Sequence, residues 1–268
     1  MPESVTLEQE NSVARIVLNR PERLNALDVP TFRVLRALLQ EVAVDRSVRA
    51  VLLTGAGTAF SAGGDVSTMA EELKAGRLAK LFHDLTGEQE GSVREIMSMR
   101  KPVVAALPGV AAGGGLSLAL AADWRLAAPE ASLYPAFPAL GAVPDGGLTY
   151  LLPHYLGLGL AQEMLLRNPR VPAERAKELG LVHEIVPRTE LDARARERAQ
   201  EFARGPTFAL GWTKHLLVGA FSNSFETQLA LERRGAVEAA RGAELPEGIT
   251  AFRAKRAPAF PAEVPSAK

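Results

Sequence analysis

Apolar residues in this chain follow two rhythms, short unbroken runs and stripes at helical spacing. Val13–Leu18 (VARIVL) predicts a strand. Phe32, Leu35, Leu38, Leu39 and Val42 recur at helical spacing behind Asp28, a candidate N-cap. Ala50–Thr54 (AVLLT) and Val103–Leu107 (VVAAL) read as strands covered on both faces. Between them, Glu71–Arg100 mixes charge with scattered apolar residues and predicts one or two exposed helices. A small-residue helix starts within Gly113–Ala122, and Trp124–Ala127 predicts a further strand. From Leu148 onward helical stripes dominate: Leu148–Tyr155, Leu160–Arg167, Ala173–Leu179, Leu191–Arg204 and Pro206–Ala220, with one short strand over Val182–Val186. Gly242–Lys268 is rich in proline and charge, with one helix expected around Ile249–Arg256. Strand–helix alternation in the first half predicts an α/β fold with a mostly parallel sheet.

Composition narrows the function classes. The 268 residues are 47% hydrophobic and 23% charged, enough for one large domain with a sizeable core. Lys plus Arg and Asp plus Glu both number 31, so no net field draws the chain to nucleic acid or an anionic membrane. An anionic ligand must therefore be met by local groups. The absence of cysteine excludes disulfides, thiolate nucleophiles and Cys-based metal sites. The acidic start lacks a secretory pattern, and the longest apolar stretch, Val103–Ala122, is broken by Pro108 and by Gly113, Gly114 and Gly115. A cytoplasmic protein is expected.

Three segments carry candidate chemistry. Phe60-Ser61-Ala62-Gly63-Gly64-Asp65 follows one expected strand and precedes a helix. By itself it reads as a tight loop with Asp65 as N-cap. Ala112-Gly113-Gly114-Gly115-Leu116 follows another strand and opens a helix, where backbone N–H groups lack partners. By itself it reads as close helix–sheet packing. Together, two such loops on one sheet can converge as an oxyanion hole. Pro144-Asp145-Gly146-Gly147 admits two readings, a turn with a helix cap or a carboxylate at the edge of an apolar pocket. A dinucleotide loop is excluded, because the last position of the G-x-G-x-x-G template starting at Gly55 is Phe60. His83, His154, His183 and His215 share no metal-ligand spacing, so no metal is expected.

Taken in order, these segments resemble the crotonase (enoyl-CoA hydratase/isomerase) family. Asn19-Arg20-Pro21-Glu22-Arg23-Leu24-Asn25-Ala26-Leu27 is similar to its coenzyme A loop. Phe60–Val66 and Pro108–Leu120 are similar to its two oxyanion segments. Leu140–Leu152, Val171–Val186 and Glu247–Phe260 are similar to three further family segments. The resemblance implies a crotonase spiral of ββα units with two sheets, a core over residues 1–200, and a C-terminal helical region over 201–268 that builds trimers or dimers of trimers. It implies oxyanion N–H groups on Gly64 and Gly114. It implies coenzyme A contacts at Arg23, Leu24, Ala26, Ala62 and Asp65, and at Phe252 and Lys255, toward a neighbouring subunit's ligand. The ligand is an acyl-CoA thioester; no separate cofactor, nucleic acid or membrane is implied.

Departures from the family shape the expected reaction. Its hydratases use two glutamates to activate water. Those positions hold Ser117 and Phe137 here, which are expected to shape the pocket instead. Family isomerases lacking those glutamates carry an acid in the turn where Asp145 stands. Double-bond or ring isomerisation with Asp145 as acid/base is therefore the first expectation. The alternatives are a hydratase with an unrecognised base, an aryl-CoA dehalogenase-like enzyme with Asp145 as nucleophile, and an acyl-CoA-binding subunit without catalysis. Leu73–Arg100 lines the acyl pocket in this family, and its acids Asp84, Glu88, Glu90 and Glu95 leave a second acid/base open.

Overall fold

The computed structural model describes residues 3–261, so the end of the expected Gly242–Lys268 segment, residues 262–268, lies outside the described residues. In chain order the elements are β1 (Val5–Glu10), β2 (Val13–Leu18), α1 (Val29–Val44), β3 (Ala50–Gly55), α2 (Val66–Lys74), α3 (Leu78–Ser98), β4 (Val103–Leu107), β5 (Ala111–Ala112), α4 (Gly114–Ala121), β6 (Trp124–Ala127) and β7 (Ser132–Tyr134). There follow α5 (Leu148–Leu156), α6 (Leu158–Arg167), β8 (Val171–Pro172), α7 (Ala173–Glu178), β9 (Glu184–Ile185), α8 (Arg188–Arg204), α9 (Thr207–Gly219), α10 (Phe225–Arg241) and α11 (Glu244–Arg253).

The fold is α/β with two sheets. The larger runs β1-β2-β3-β4-β6-β9, parallel except for the antiparallel β1–β2 pair. The smaller is β5-β7-β8. Side chains alternate across the large sheet. Val51, Leu53, Val103 and Ala105 enter the main core with Phe32, Leu35 and Leu39 of α1. Ala50, Leu52, Val104 and Ala106 face α8, which meets them with Leu191, Ala195, Ala199 and Ala203 at four-residue spacing. The apolar runs are therefore covered on both faces, as their unbroken character required.

Several elements lie beyond the sequence pattern. β1 has an apolar start and an acidic end, and α10 buries only Gly235 while exposing Phe225, Leu229 and Val237. Neither offers a full apolar stripe to read. The last helix starts at Glu244, not near Ile249, because the Glu244 carboxylate accepts from Phe208 N–H and Ala209 N–H at the start of α9. The division expected at residue 200 falls inside the continuous helix α8; the chain first breaks beyond it at Gly205-Pro206.

One residue pins the loops that lead to the site. Asn25 is buried with φ of 56°, a left-handed conformation that asparagine tolerates. Its Oδ1 accepts from Arg20 N–H, and its Nδ2 donates to Ala56 O and Ala59 O at 2.9 and 2.8 Å. Asn25→Ala would strand one buried and two half-buried backbone groups at roughly 1 kcal/mol each. A loss of about 3 kcal/mol is expected, read as a lower Tm in thermal unfolding.

Candidate active site

The two glycine-rich loops are built alike. Ser61 and Ala111 form a parallel bridge, with Ser61 N–H donating to Val110 O and Ala112 N–H donating to Ser61 O. Two residues beyond that bridge, each loop has a glycine at positive φ, Gly63 at 88° and Gly113 at 48°. A Cβ on Gly63 would fall 2.8 Å from Ala112 O and 3.5 Å from Gly113 Cα, so only glycine lets the loops approach this closely. The next residue on each is Gly64 or Gly114. Neither N–H donates to a protein acceptor among the described residues, whereas Leu27 N–H donates to Gly63 O and Asp65 N–H to Leu27 O on either side of Gly64. Gly114 opens α4, where helix geometry leaves the N–H without an acceptor.

Both loops line one cavity of about 240 Å³, with Ala62, Gly63, Gly64, Gly113 and Gly114 on one side. Phe32, Met69, Phe82, Leu85 and Phe137 make apolar walls, and among the described residues Asp145 is the single carboxylate in the lining. A larger cavity of about 390 Å³ lies between α5 and α9 and contains neither glycine loop nor Asp145. Of its charged residues, Asp123 and Lys214 are paired with each other at 2.8 Å and Arg125 donates to Leu181 O. The smaller cavity is therefore the candidate site.

Asp145 sits in the turn before α5. Burial pushes its carboxyl above the ordinary aspartate value, and one hydrogen bond from Gln89 Nε2 to Oδ1, 2.7 Å long, partly offsets this. Among the described residues, Oδ2 has no protein donor. The cap reading of Asp145 does not hold: Gly147 is the N-cap of α5, and no side chain caps that helix. Ser117 is fully buried and does not line the cavity. It stands behind it, donating to Asp145 O at 3.2 Å.

A family model described as enoyl-CoA hydratase/isomerase matches residues 8–263. The chain belongs to the enoyl-CoA hydratase/isomerase family. It is 38% identical to the 1,2-epoxyphenylacetyl-CoA isomerase of Escherichia coli K12, over 97% of this chain and 99% of that protein. It is 31% identical to the short-chain-enoyl-CoA hydratase of Clostridium acetobutylicum, over 94% of this chain and 95% of that one. Its structure superposes on the crystal structure of an enoyl-CoA hydratase from Polaromonas sp. JS666 with a TM-score of 0.89 at 31% identity, covering 95% and 98% of the two chains. The crotonase fold follows, C-terminal helices included.

Within that family fold, the residues expected at coenzyme A separate into two groups. Ala62 lines the cavity. Arg23, Leu24, Ala26 and Asp65 lie outside its lining: Leu24 is exposed, Ala26 is buried, and half-exposed Arg23 reaches Asp65 at 3.0 Å. Asp65 is a structural hub. It caps α2 through Ser67 N–H and Thr68 N–H and pairs with Arg20 at 2.9 Å. Burial pushes its carboxyl up, yet Arg20, the Thr68 N–H and Arg23 together outweigh that and hold it below the ordinary aspartate value. Phe252 is 85% exposed and, like Lys255, lies outside the lining of this chain's cavity.

The four acids left open on α3 are engaged elsewhere: Asp84 with Lys80, Glu88 with Arg33 and Arg36, Glu90 with Arg94, and Glu95 with Gln40. The polar residue α3 brings to the site, beside the apolar Phe82 and Leu85, is Gln89, which the sequence reading missed. Its signal was a polar residue on the stripe Leu85, Gln89, Val93, Ile96, all of which are buried.

Proposed function

We propose that this protein is an acyl-CoA isomerase that shifts a double bond or opens a ring through an enolate, with Asp145 as its one acid/base. The observation that carries this reading is the carboxylate count: among the described residues, Asp145 is the one carboxylate lining a cavity that also presents the unpartnered N–H groups of Gly64 and Gly114. Activating water as the family's hydratases do takes two carboxylates, and the positions concerned hold Ser117 and Phe137. Isomerisation takes one. The carboxylate accepts a proton from the carbon beside the thioester, the enolate oxygen receives both N–H groups, and the proton returns to a more distant carbon as the carbonyl re-forms. Electrons and atoms balance without a cofactor. A carboxyl raised by burial is a stronger base once ionised, which suits this step. The placement of Asp145 on the cavity favours an enzyme over a binding subunit.

The apolar walls suit an apolar acyl group, with coenzyme A leaving past Arg23, Leu24, Ala26, Ala62 and Asp65. Phe252 and Lys255 would serve a neighbouring subunit's ligand. Exposed Phe225, Leu229 and Phe252 on the C-terminal helices, and Phe221 in the turn between α9 and α10, support assembly as a homotrimer or a dimer of trimers. Among the described residues no helix is long and apolar enough to cross a membrane.

Incubation with 3-enoyl-CoA and 2-enoyl-CoA thioesters tests the reading. Conversion of the 3-enoyl to the 2-enoyl isomer at constant mass is the expected result, followed by ultraviolet absorbance and mass spectrometry. Addition of water to the 2-enoyl thioester as the main reaction would overturn it.

A further inference from the structure

Asp145 sits in a turn whose next two residues, Gly146 and Gly147, have φ of 57° and 83°, so the local chain does not itself fix its side chain. Gln89 does. It is 2% exposed, and its amide is walled in on several sides. A Cβ on Gly146 would lie 2.0 Å from Nε2, and a Cβ on Gly114 would lie 2.9 Å from Oε1. Ser117 Oγ stands 3.5 Å from Nε2 and donates to Asp145 O. The group facing Asp145 Oδ1 must be the NH₂ end, because an amide oxygen would repel an ionised carboxylate. One carboxylate oxygen is thus held and the other is free.

We infer that Gln89 is the positioning residue of this site: its amide holds Asp145 Oδ1, leaves Oδ2 as the atom that carries the proton, and keeps a second charge away from the base. This rests on the isomerase reading above. Among the described residues, the only other titratable side chain in the cavity lining is Tyr134, whose hydroxyl accepts from Asn168 Nδ2 at 3.0 Å. Glu88 and Glu90, which flank Gln89 on α3, are held by arginines. An uncharged donor at position 89 therefore leaves Asp145 to titrate as a single group. A carboxylate there would share a proton with it.

The test uses Gln89→Glu, which conserves shape, and Gln89→Met, which removes the donor. Two quantities are read: the titration of the Asp145 carboxyl by carbon-13 NMR, assigned against Asp145→Asn, and the pH profile of kcat/KM on 3-enoyl-CoA. In Gln89→Met the Asp145 titration and the acid limb are expected to move to higher pH, and kcat to fall roughly 10- to 100-fold with KM little changed. In Gln89→Glu a second, coupled titration is expected, with the acid limb displaced further up. Titrations and acid limbs that match the parent in both variants would overturn the inference. If the titrations move as stated while the parent isomerises no acyl-CoA, the positioning role stands and the assigned reaction falls.

Discussion

Asp145→Asn is expected to lower kcat for isomerisation by roughly 10²–10⁴-fold, the usual contribution of a positioned acid/base, with acyl-CoA affinity retained. The same change is expected to raise Tm at neutral pH. The carboxyl titrates above the ordinary aspartate value because burial penalises its charge. Its contribution to stability is therefore complete below the unfolded aspartate pKa and is lost as pH rises through the folded value. Above that folded value the protein carries a charge it would be more stable without. Asparagine offers Gln89 Nε2 an acceptor and no charge, so the stability gain should be present at neutral pH and vanish in acid. Thermal unfolding of parent and variant at the two pH values checks the sign. Lost turnover with gained stability would mark the site as one that trades stability for function.

Gly64→Pro is expected to lower kcat roughly 10²–10³-fold, the effect of deleting one oxyanion donor. Proline removes the Gly64 N–H, and the fold makes no use of that group: the bridge to Leu27 uses Gly63 O and Asp65 N–H. The nearest atom to a Cβ at this position is Met69 Cε at 2.4 Å, the end of a flexible side chain that can turn aside. Steady-state kinetics should therefore show kcat reduced far more than KM is raised, because the lost interaction belongs to the enolate and its transition states. Equal binding and unchanged kcat would remove Gly64 from the oxyanion pair.

How much of this was legible in the sequence depended on what each residue does locally. The strands and α1 announced themselves, because burial on both faces or along one stripe leaves an apolar rhythm. The two glycine loops were legible as a pair, because glycine at positive φ and a helix start are local events. What joins them is the Ser61–Ala111 bridge, a contact across fifty residues that no local pattern contains. Asp145 was legible as an acid in a turn, and its two readings parted only when Gly147 proved to be the cap and Gln89 the partner. Gln89 left a faint trace, one polar residue on a buried stripe among four acids that looked more chemical. Those acids face arginines, a lysine and Gln40 around the outside of α3. β1 and α10 were illegible because each leaves much of its surface open, so neither strand nor helix period is enforced along it.

The central claim is that Asp145 removes the proton beside the thioester. The most direct measurement is the rate at which deuterium leaves that carbon of labelled 3-enoyl-CoA, whether to the distant carbon or to water, followed by NMR with parent and Asp145→Asn protein in ordinary water. Rapid loss with the parent, falling with kcat in the variant, is the predicted result. Loss at the same rate in the variant would contradict the account, because another group would then be removing the proton.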